Sequence, residues 1–334
     1  MGTLHLIDVD GAEHELDADR LLVAAADLEG ATDWVLKPEG LCRGDACVPL
    51  LGRPVARQGR IDLAEWAAAL RLNLAVDSDH GVAALTPPAD ARAELEGGPA
   101  PNLALPDVDG NIVELGSLAG RKRVLVTWAS WCGCRHELGA WQALQEELGP
   151  EGLSIYSVAL DASADDAKPW IEEAAPTYPV VVDTAHVTAE RYGITNVPST
   201  VWIDEDGTVV KPPAIAPGDD QFRDFTEIDS SVHHDALRRW VLEGEVPEAP
   251  VRADDPRTDD GQLALAHRRV AAWLQARGHD EPAAAHLATA VDLAPWDWTV
   301  RRAGIKLRGG DPFLGDEFLT FWQEWDEAGR PGYR

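Results

Sequence analysis

The residues of this chain best suited to chemistry are its four cysteines. They fall in two pairs, Cys42 with Cys47 and Cys132 with Cys134. A thiolate attacks disulfides and binds soft metals, so closely spaced pairs point to redox or metal chemistry. Four cysteines in 334 residues are too few for a disulfide-built scaffold. The opening residues, Met1 to Asp8, show no basic stretch and no long apolar run, and nowhere do 18 apolar residues follow one another. The expectation is a cytoplasmic protein without a membrane span, in a compartment that keeps thiols reduced. A formal charge of −29, from 58 acidic and 29 basic residues, argues against a nucleic-acid partner and against an anionic membrane surface.

Three regions must position these cysteines. Residues 1–96 read as a small α+β domain carrying Cys42 and Cys47. It opens with a hairpin around Asp10-Gly11 and contains a helix over 61–70 with Leu63, Trp66 and Leu70 on one face. Strands are expected at 72–76 and 82–85. Glu96-Gly97-Gly98-Pro99-Ala100-Pro101 reads as a linker. Residues 98–246 alternate strand and helix, with a nearly continuous apolar strand at 123–128, a helix over 133–148 and a hairpin around Asp206-Gly207. Pro212 to Ser231 is a long polar insertion, read either as a cover over the site or as a surface loop. After a second linker at 247–260, residues 256–334 read as a helical domain. Leu263, Ala266, Val270, Trp273 and Leu274 share one helical face, and Ala284, Leu287 and Val291 lie along the next helix. The pattern resembles one tetratricopeptide-type hairpin. A lone hairpin cannot bury its own apolar face, so it must pack on another domain or recruit a protein partner.

The segment Trp128-Ala129-Ser130-Trp131-Cys132-Gly133-Cys134-Arg135-His136-Glu137 resembles the active site of the thioredoxin superfamily, nearest its ResA/TlpA-like redoxin branch. Ile194-Thr195-Asn196-Val197-Pro198-Ser199-Thr200 is similar to that family's cis-proline loop. The resemblance implies a thioredoxin-like α/β fold, with a mixed central sheet flanked by helices. It implies a thiol–disulfide oxidoreductase that needs no cofactor, exchanges with a protein or small-molecule thiol or disulfide, and draws electrons from a reductase or thioredoxin. It also makes Cys132, Cys134 and Glu137 catalytic candidates, and Trp131, Gly133, Val197 and Pro198 substrate-binding candidates. The backbone of Val197 would pair with a bound peptide, and Trp131 would shape the surface around the site while Trp128 packs inside. Independently of the resemblance, a cysteine between a strand and a helix N-terminus meets unpaired N–H groups and the positive end of the helix dipole, which favour thiolate. Glu137 is open to a second reading, as a favourable acid in the first helical turn.

The motif departs from its family by one residue. Only Gly133 separates the cysteines, and on a helix positions i and i+2 point about 200° apart. A Cys132–Cys134 disulfide is therefore expected to need an opened, strained first turn, which glycine permits. Either the pair is an oxidising or isomerising site, or Cys134 is not the main resolving thiol. In the second case Cys42 and Cys47, flanking the tight turn Gly44-Asp45, become a candidate internal relay to Cys132. An inert local disulfide and two separate thiols are the other readings of that pair. Cys132, Cys134, His136, Cys42 and Cys47 are also soft enough ligands for zinc or copper, but the spacing fits no common module, and no metal site is assigned.

Two further functional classes stay in view. A peroxiredoxin-like peroxidase would carry Thr-x-x-Cys, but Ala129 holds the threonine position and Thr127 lies further back. A redox sensor would use the helical C-terminal region to bind a partner. His233-His234 and His186 read as surface residues, and Asp161, Asp165 and Asp166 as loop or cap residues.

Overall fold

The computed structural model describes residues 2–91, 95–247 and 258–332. Chain contacts divide it into two compact units, Met1–Ala91 with Arg257–Pro295, and Arg92–Pro256 with Trp296–Arg334. Among the described residues no helix is long and apolar enough to cross a membrane.

In the first unit, Gly2–Ile7 and Glu13–Asp19 form the expected hairpin, with Leu4 paired to Leu16 and both buried. Its turn is closed by Asp8, whose Oδ1 accepts the N–H groups of Asp10 and Ala12 at 2.9 Å. These strands belong to a seven-stranded sheet in which Gly2–Ile7 runs parallel to Val82–Thr86, itself antiparallel to Asn73–Asp77. The helix Leu63–Ala69 is capped by Asp62 and buries Leu63, Trp66 and Ala67. Short strands Val35–Lys37, Gly40–Arg43 and Ala46–Val48 form a separate sheet that carries Cys42 and Cys47.

The expected third domain at 256–334 is not a separate body. Helices Asp259–Gln275 and Asp280–Leu293 form the predicted antiparallel hairpin, and it lies on the sheet of the first unit. Thr86 Oγ1 donates to the Gln262 carbonyl at 2.8 Å, and Arg269 donates to the Leu85 carbonyl at 2.6 Å. The sheet thus covers the apolar face that a lone hairpin would leave in water. The remaining helices, Trp298–Leu307 and Asp316–Glu327, belong to the second unit.

The second unit is built on five strands: β1 Lys122–Trp128, β2 Leu153–Ala159, β3 Val180–Val182, β4 Ser199–Ile203 and β5 Val209–Ile215. Their order is β3-β2-β1-β4-β5, with β1 to β3 parallel and β4 and β5 antiparallel. β1 lies centrally, which is why its side chains read as a nearly continuous apolar run. Helix Ser230–Glu243 packs on this sheet through Leu237 and Trp240, and Trp240 stacks on Trp202 at 4.9 Å between ring centroids. This is the mixed, helix-flanked sheet of the thioredoxin-like fold.

Part of the first predicted linker is structured. Gly97 donates to the Val209 carbonyl at 2.8 Å, Val209 donates back to Gly98 at 2.9 Å, and Ala100 donates to Gly207 at 2.9 Å. Glycine-rich backbone can lie close against the start of β5 because no side chain intervenes. Most of the second predicted linker, residues 248–257, lies outside the described residues.

Candidate active site

Cys132 lies four residues past the end of β1, beside the cis peptide bond between Val197 and Pro198. It is not part of the helix after it. Its backbone is extended, and a 3₁₀ turn over Gly133–Glu137 precedes the α-helix Leu138–Leu148. The two cysteines therefore do not stand at positions i and i+2 of one helix. Cys132 sits just outside the first turn, as its N-cap, with its side chain turned back over that turn. The Cys134 N–H donates to the Cys132 sulfur at 3.3 Å, and the Cys132 thiol donates to the Val197 carbonyl at 3.6 Å.

Both cysteines are free and buried, with Cys132 only 5% exposed. Burial pushes the Cys132 thiol up, but the Cys134 hydrogen bond, the Arg302 guanidinium, the Cys134 N–H and Arg135 together bring it down to about 7. Cys134 moves the opposite way, raised by burial and then by the neighbouring Cys132 and Glu137. The two adjacent thiols are thereby pulled apart, Cys132 toward thiolate and Cys134 toward thiol.

Arg302 was not foreseen as a site residue. It lies on helix Trp298–Leu307, is buried, and its charge draws the Cys132 thiol toward thiolate. Its Nε is anchored on the Pro312 carbonyl at 2.7 Å, and its guanidinium lies 4.1 Å from the Phe318 ring centroid. A sequence signal existed: Arg302 falls on the same helical stripe as buried Trp298 and Ile305, where a charge is out of place.

Glu137 is 3% exposed, and its Oε2 accepts the Gly218 N–H at 2.8 Å. A Cβ at Gly218 would come within 2.8 Å of the Trp141 indole nitrogen and 3.0 Å of the Glu137 carbonyl, so this approach needs glycine. Burial raises the Glu137 carboxyl to about 8, against the Gly218 hydrogen bond, leaving it largely protonated near neutral pH. Burial also raises Asp161, to about 6, although it accepts the N–H and hydroxyl of Ser130 at 2.9 and 2.6 Å. Lys306 donates to Ser130 Oγ at 2.6 Å and pairs with Asp166 at 2.8 Å.

Several surface expectations are corrected here. Asp161 is an internal anchor of the segment before Cys132, because its carboxylate satisfies backbone and hydroxyl donors that burial would otherwise leave unmet. Trp131 is buried with its indole N–H on the Leu160 carbonyl at 2.9 Å, and so supports the site from below; Trp128 packs inside as expected. His186 is fully buried. His233 is also buried, its imidazole held well below the usual range first by desolvation and then by the Lys211 charge. His136 is exposed and meets the Trp170 ring edge-on, at 5.0 Å between centroids.

The insertion after β5 covers the site. Phe222 lies over Gly133 so closely that a Cβ there would meet its ring at 2.6 Å. A side chain at position 133 would therefore need the Phe222 ring to move. Val197 does not offer its N–H freely, since that group donates to Asn196 Oδ1 at 2.8 Å. Thr127 is tied into the sheet, its hydroxyl donating to the Ser199 carbonyl at 3.2 Å and accepting the Ser199 N–H at 3.3 Å.

A cysteine pair just past the end of the central strand, facing a cis-proline, is the site arrangement of the thioredoxin superfamily. Comparison with known proteins places the chain further. The AhpC/TSA family profile matches residues 97–211. The thiol-disulfide oxidoreductase ResA of Bacillus subtilis (strain 168) is 30% identical over 117 residues, 35% of this chain and 65% of that protein, just under two thirds of its length. ResA of Bacillus thuringiensis (strain Al Hakam) is 31% identical over 126 residues, 37% of this chain and 72% of that protein. The thioredoxin domain of a thiol-disulfide oxidoreductase from Bacteroides vulgatus covers 45% of this chain and 99% of its own length, at 23% identity and a TM-score of 0.37. The chain belongs to the ResA/TlpA-like branch of the superfamily. Arg302 and the covering insertion lie beyond the stretch that the family profile matches.

Proposed function

We propose that the protein catalyses thiol–disulfide exchange with Cys132 as the nucleophile and Cys134 as the resolving thiol. The observation that carries this reading is the cysteine pair beside the cis-proline, in which the Cys132 sulfur meets the Cys134 N–H at 3.3 Å and the Val197 carbonyl at 3.6 Å, with Cys132 drawn toward thiolate and Cys134 held as thiol. Cys132 attacks a substrate sulfur and expels the other half as thiolate. Cys134 then attacks the Cys132 sulfur, releases the second half, and closes a Cys132–Cys134 disulfide. Two electrons pass to the substrate, and an external dithiol donor restores the pair. Cys134 loses its proton only in the second step, where the neighbouring Glu137 can exchange it. Exchange is favoured over peroxide reduction because no hydroxyl stands at position 129 and Thr127 is engaged with Ser199.

The finer form of the proposal makes Cys42–Cys47 an electron acceptor for Cys132. These two form a disulfide in which Cys42 is buried and Cys47 exposed. A thiolate would therefore attack at Cys47, forming a Cys132–Cys47 link and freeing Cys42, before Cys134 resolves it. The test of the main reading is trapping with Cys134→Ser in cells, followed by mass spectrometry. Mixed disulfides through Cys132 are expected, and their absence in cells and with added disulfides would sink the assignment. A Cys134→Ser, Cys42→Ser protein tests the relay: no Cys132–Cys47 link on oxidation rules it out.

A further inference from the structure

The closed surroundings of Cys132 carry information about substrate size, and the following rests on the exchange reading above. A cavity of about 160 Å³ opens over Cys132 and Cys134. Its walls include the aromatic rings of Phe222, Phe225, Trp298, Phe313, Trp322 and Trp325. The roof is interlocked from two directions. Phe222 of the insertion meets Phe313 edge-on at 5.8 Å, Phe225 lies 3.9 Å from the Trp322 ring, and Glu227 pairs with Arg330 at 3.0 Å.

Two features of this arrangement oppose a polypeptide substrate. Both cysteines are nearly inaccessible, and the Val197 N–H that would pair with an extended chain is already bonded to Asn196. The cavity instead matches a single aromatic group. An apolar cavity of about 150 Å³ is enough to bind benzene, and six rings around it supply face and edge contacts for a seventh.

We propose that the cavity is a substrate pocket for small organic disulfides bearing a phenyl-sized apolar group on the attacked sulfur. With a benzyl alkyl disulfide, the ring enters the cavity and the Cys132 thiolate attacks the benzylic sulfur. A Cys132–S–benzyl bond forms, the old S–S bond breaks, and the alkyl thiolate leaves and takes a proton. Cys134 then attacks the Cys132 sulfur and releases benzyl thiolate, so the cysteine pair loses the two electrons that the substrate gains. A dithiol reductant resets the enzyme.

The experiment uses the reduced full chain with benzyl 2-hydroxyethyl disulfide and methyl 2-hydroxyethyl disulfide, which share the sulfur chemistry and differ in the ring. Oxidation of Cys132 and Cys134 is followed by rapid quenching and mass spectrometry, and each rate is divided by that of a small free thiol. A preference for the benzyl compound of at least about 30-fold is expected, with insulin reduced at least about 100-fold more slowly than the benzyl compound. The joint substitution Phe222→Ala, Phe313→Ala should bring the preference below about 5-fold. A second measurement does not depend on that variant folding: benzyl alcohol should slow alkylation of wild-type Cys132 in a saturable way. A wild-type preference within about 3-fold of the free-thiol control, or insulin reduced as fast as the benzyl compound, overturns the pocket assignment. If neither small disulfide nor insulin reacts faster than with the free thiol, the exchange reading itself fails.

Discussion

Cys42 and Cys47 stand opposite each other on two strands of a small hairpin, joined across the turn Gly44-Asp45, whereas Cys132 caps the turn that carries Cys134 at the head of a helix. The first pair has one sulfur-bearing residue at the surface. The second pair is buried among Arg302, Arg135 and Glu137. Spacing alone made the one-residue gap the strained one and left Cys42 and Cys47 as a relay, an inert local disulfide or two separate thiols. The difference teaches that the backbone at each first cysteine decides what a spacing can do. Extended backbone at Cys132 lets the close pair meet, and the antiparallel register at Cys42 places its partner directly across the ladder.

The sharpest way to break this contrast is to remove one sulfur from each pair. Cys132→Ser should lower exchange with a small disulfide by at least about 1,000-fold. Cys42→Ser should leave that first exchange step within about 3-fold, since the assigned nucleophile is intact. A comparable loss from both, measured by stopped flow, would erase the distinction between the pairs.

Charge is the next difference to test. With Cys132 near 7, the exchange rate should rise about tenfold per unit below pH 7 and level off above it, as the thiolate fraction saturates. Arg302→Met should move that midpoint up by about one pH unit. Ultraviolet absorbance of the thiolate at increasing pH checks this, and a role confined to packing would leave the midpoint in place.

The hairpin pair should matter more for stability than for rate. Replacing both Cys42 and Cys47 by serine removes a short covalent loop and should cost about 2 kcal/mol in denaturant unfolding. The smallest effect is expected at Glu137. Its folded value near 8 exceeds the ordinary carboxyl value, so the associated stability is complete below pH 4.5 and is lost as pH rises through 8. Glu137→Gln should therefore raise Tm by about 3 °C at pH 8.5 relative to its effect at pH 5. An equal shift at both pH values would contradict a buried, titrating carboxyl.

Much of this contrast was legible in the sequence, but unevenly. The apolar run of β1, the turns at Asp10-Gly11 and Asp206-Gly207 and the Val197-Pro198 motif are local patterns, and each appears where expected. Asp161, His186 and His233 were misplaced because a polar residue beside a loop or helix end carries no periodic mark of burial. The helices after residue 258 were found as helices, while their division between two units was hidden, since amphipathic faces do not name the surface that covers them. Arg302 stood on an apolar stripe, which signals an unusual charge but not which thiol it meets.

The anchoring of Lys306 on Ser130 spans 176 positions of sequence. Read as a timetable of synthesis, that span means a ribosome adding about 5–20 residues per second needs roughly 10–35 s between making the two ends of the contact. Through that interval the newborn thiols have no Arg302 beside them and no aromatic ceiling above them. Their nucleophile is thus completed late, by residues that do not yet exist when the cysteines emerge.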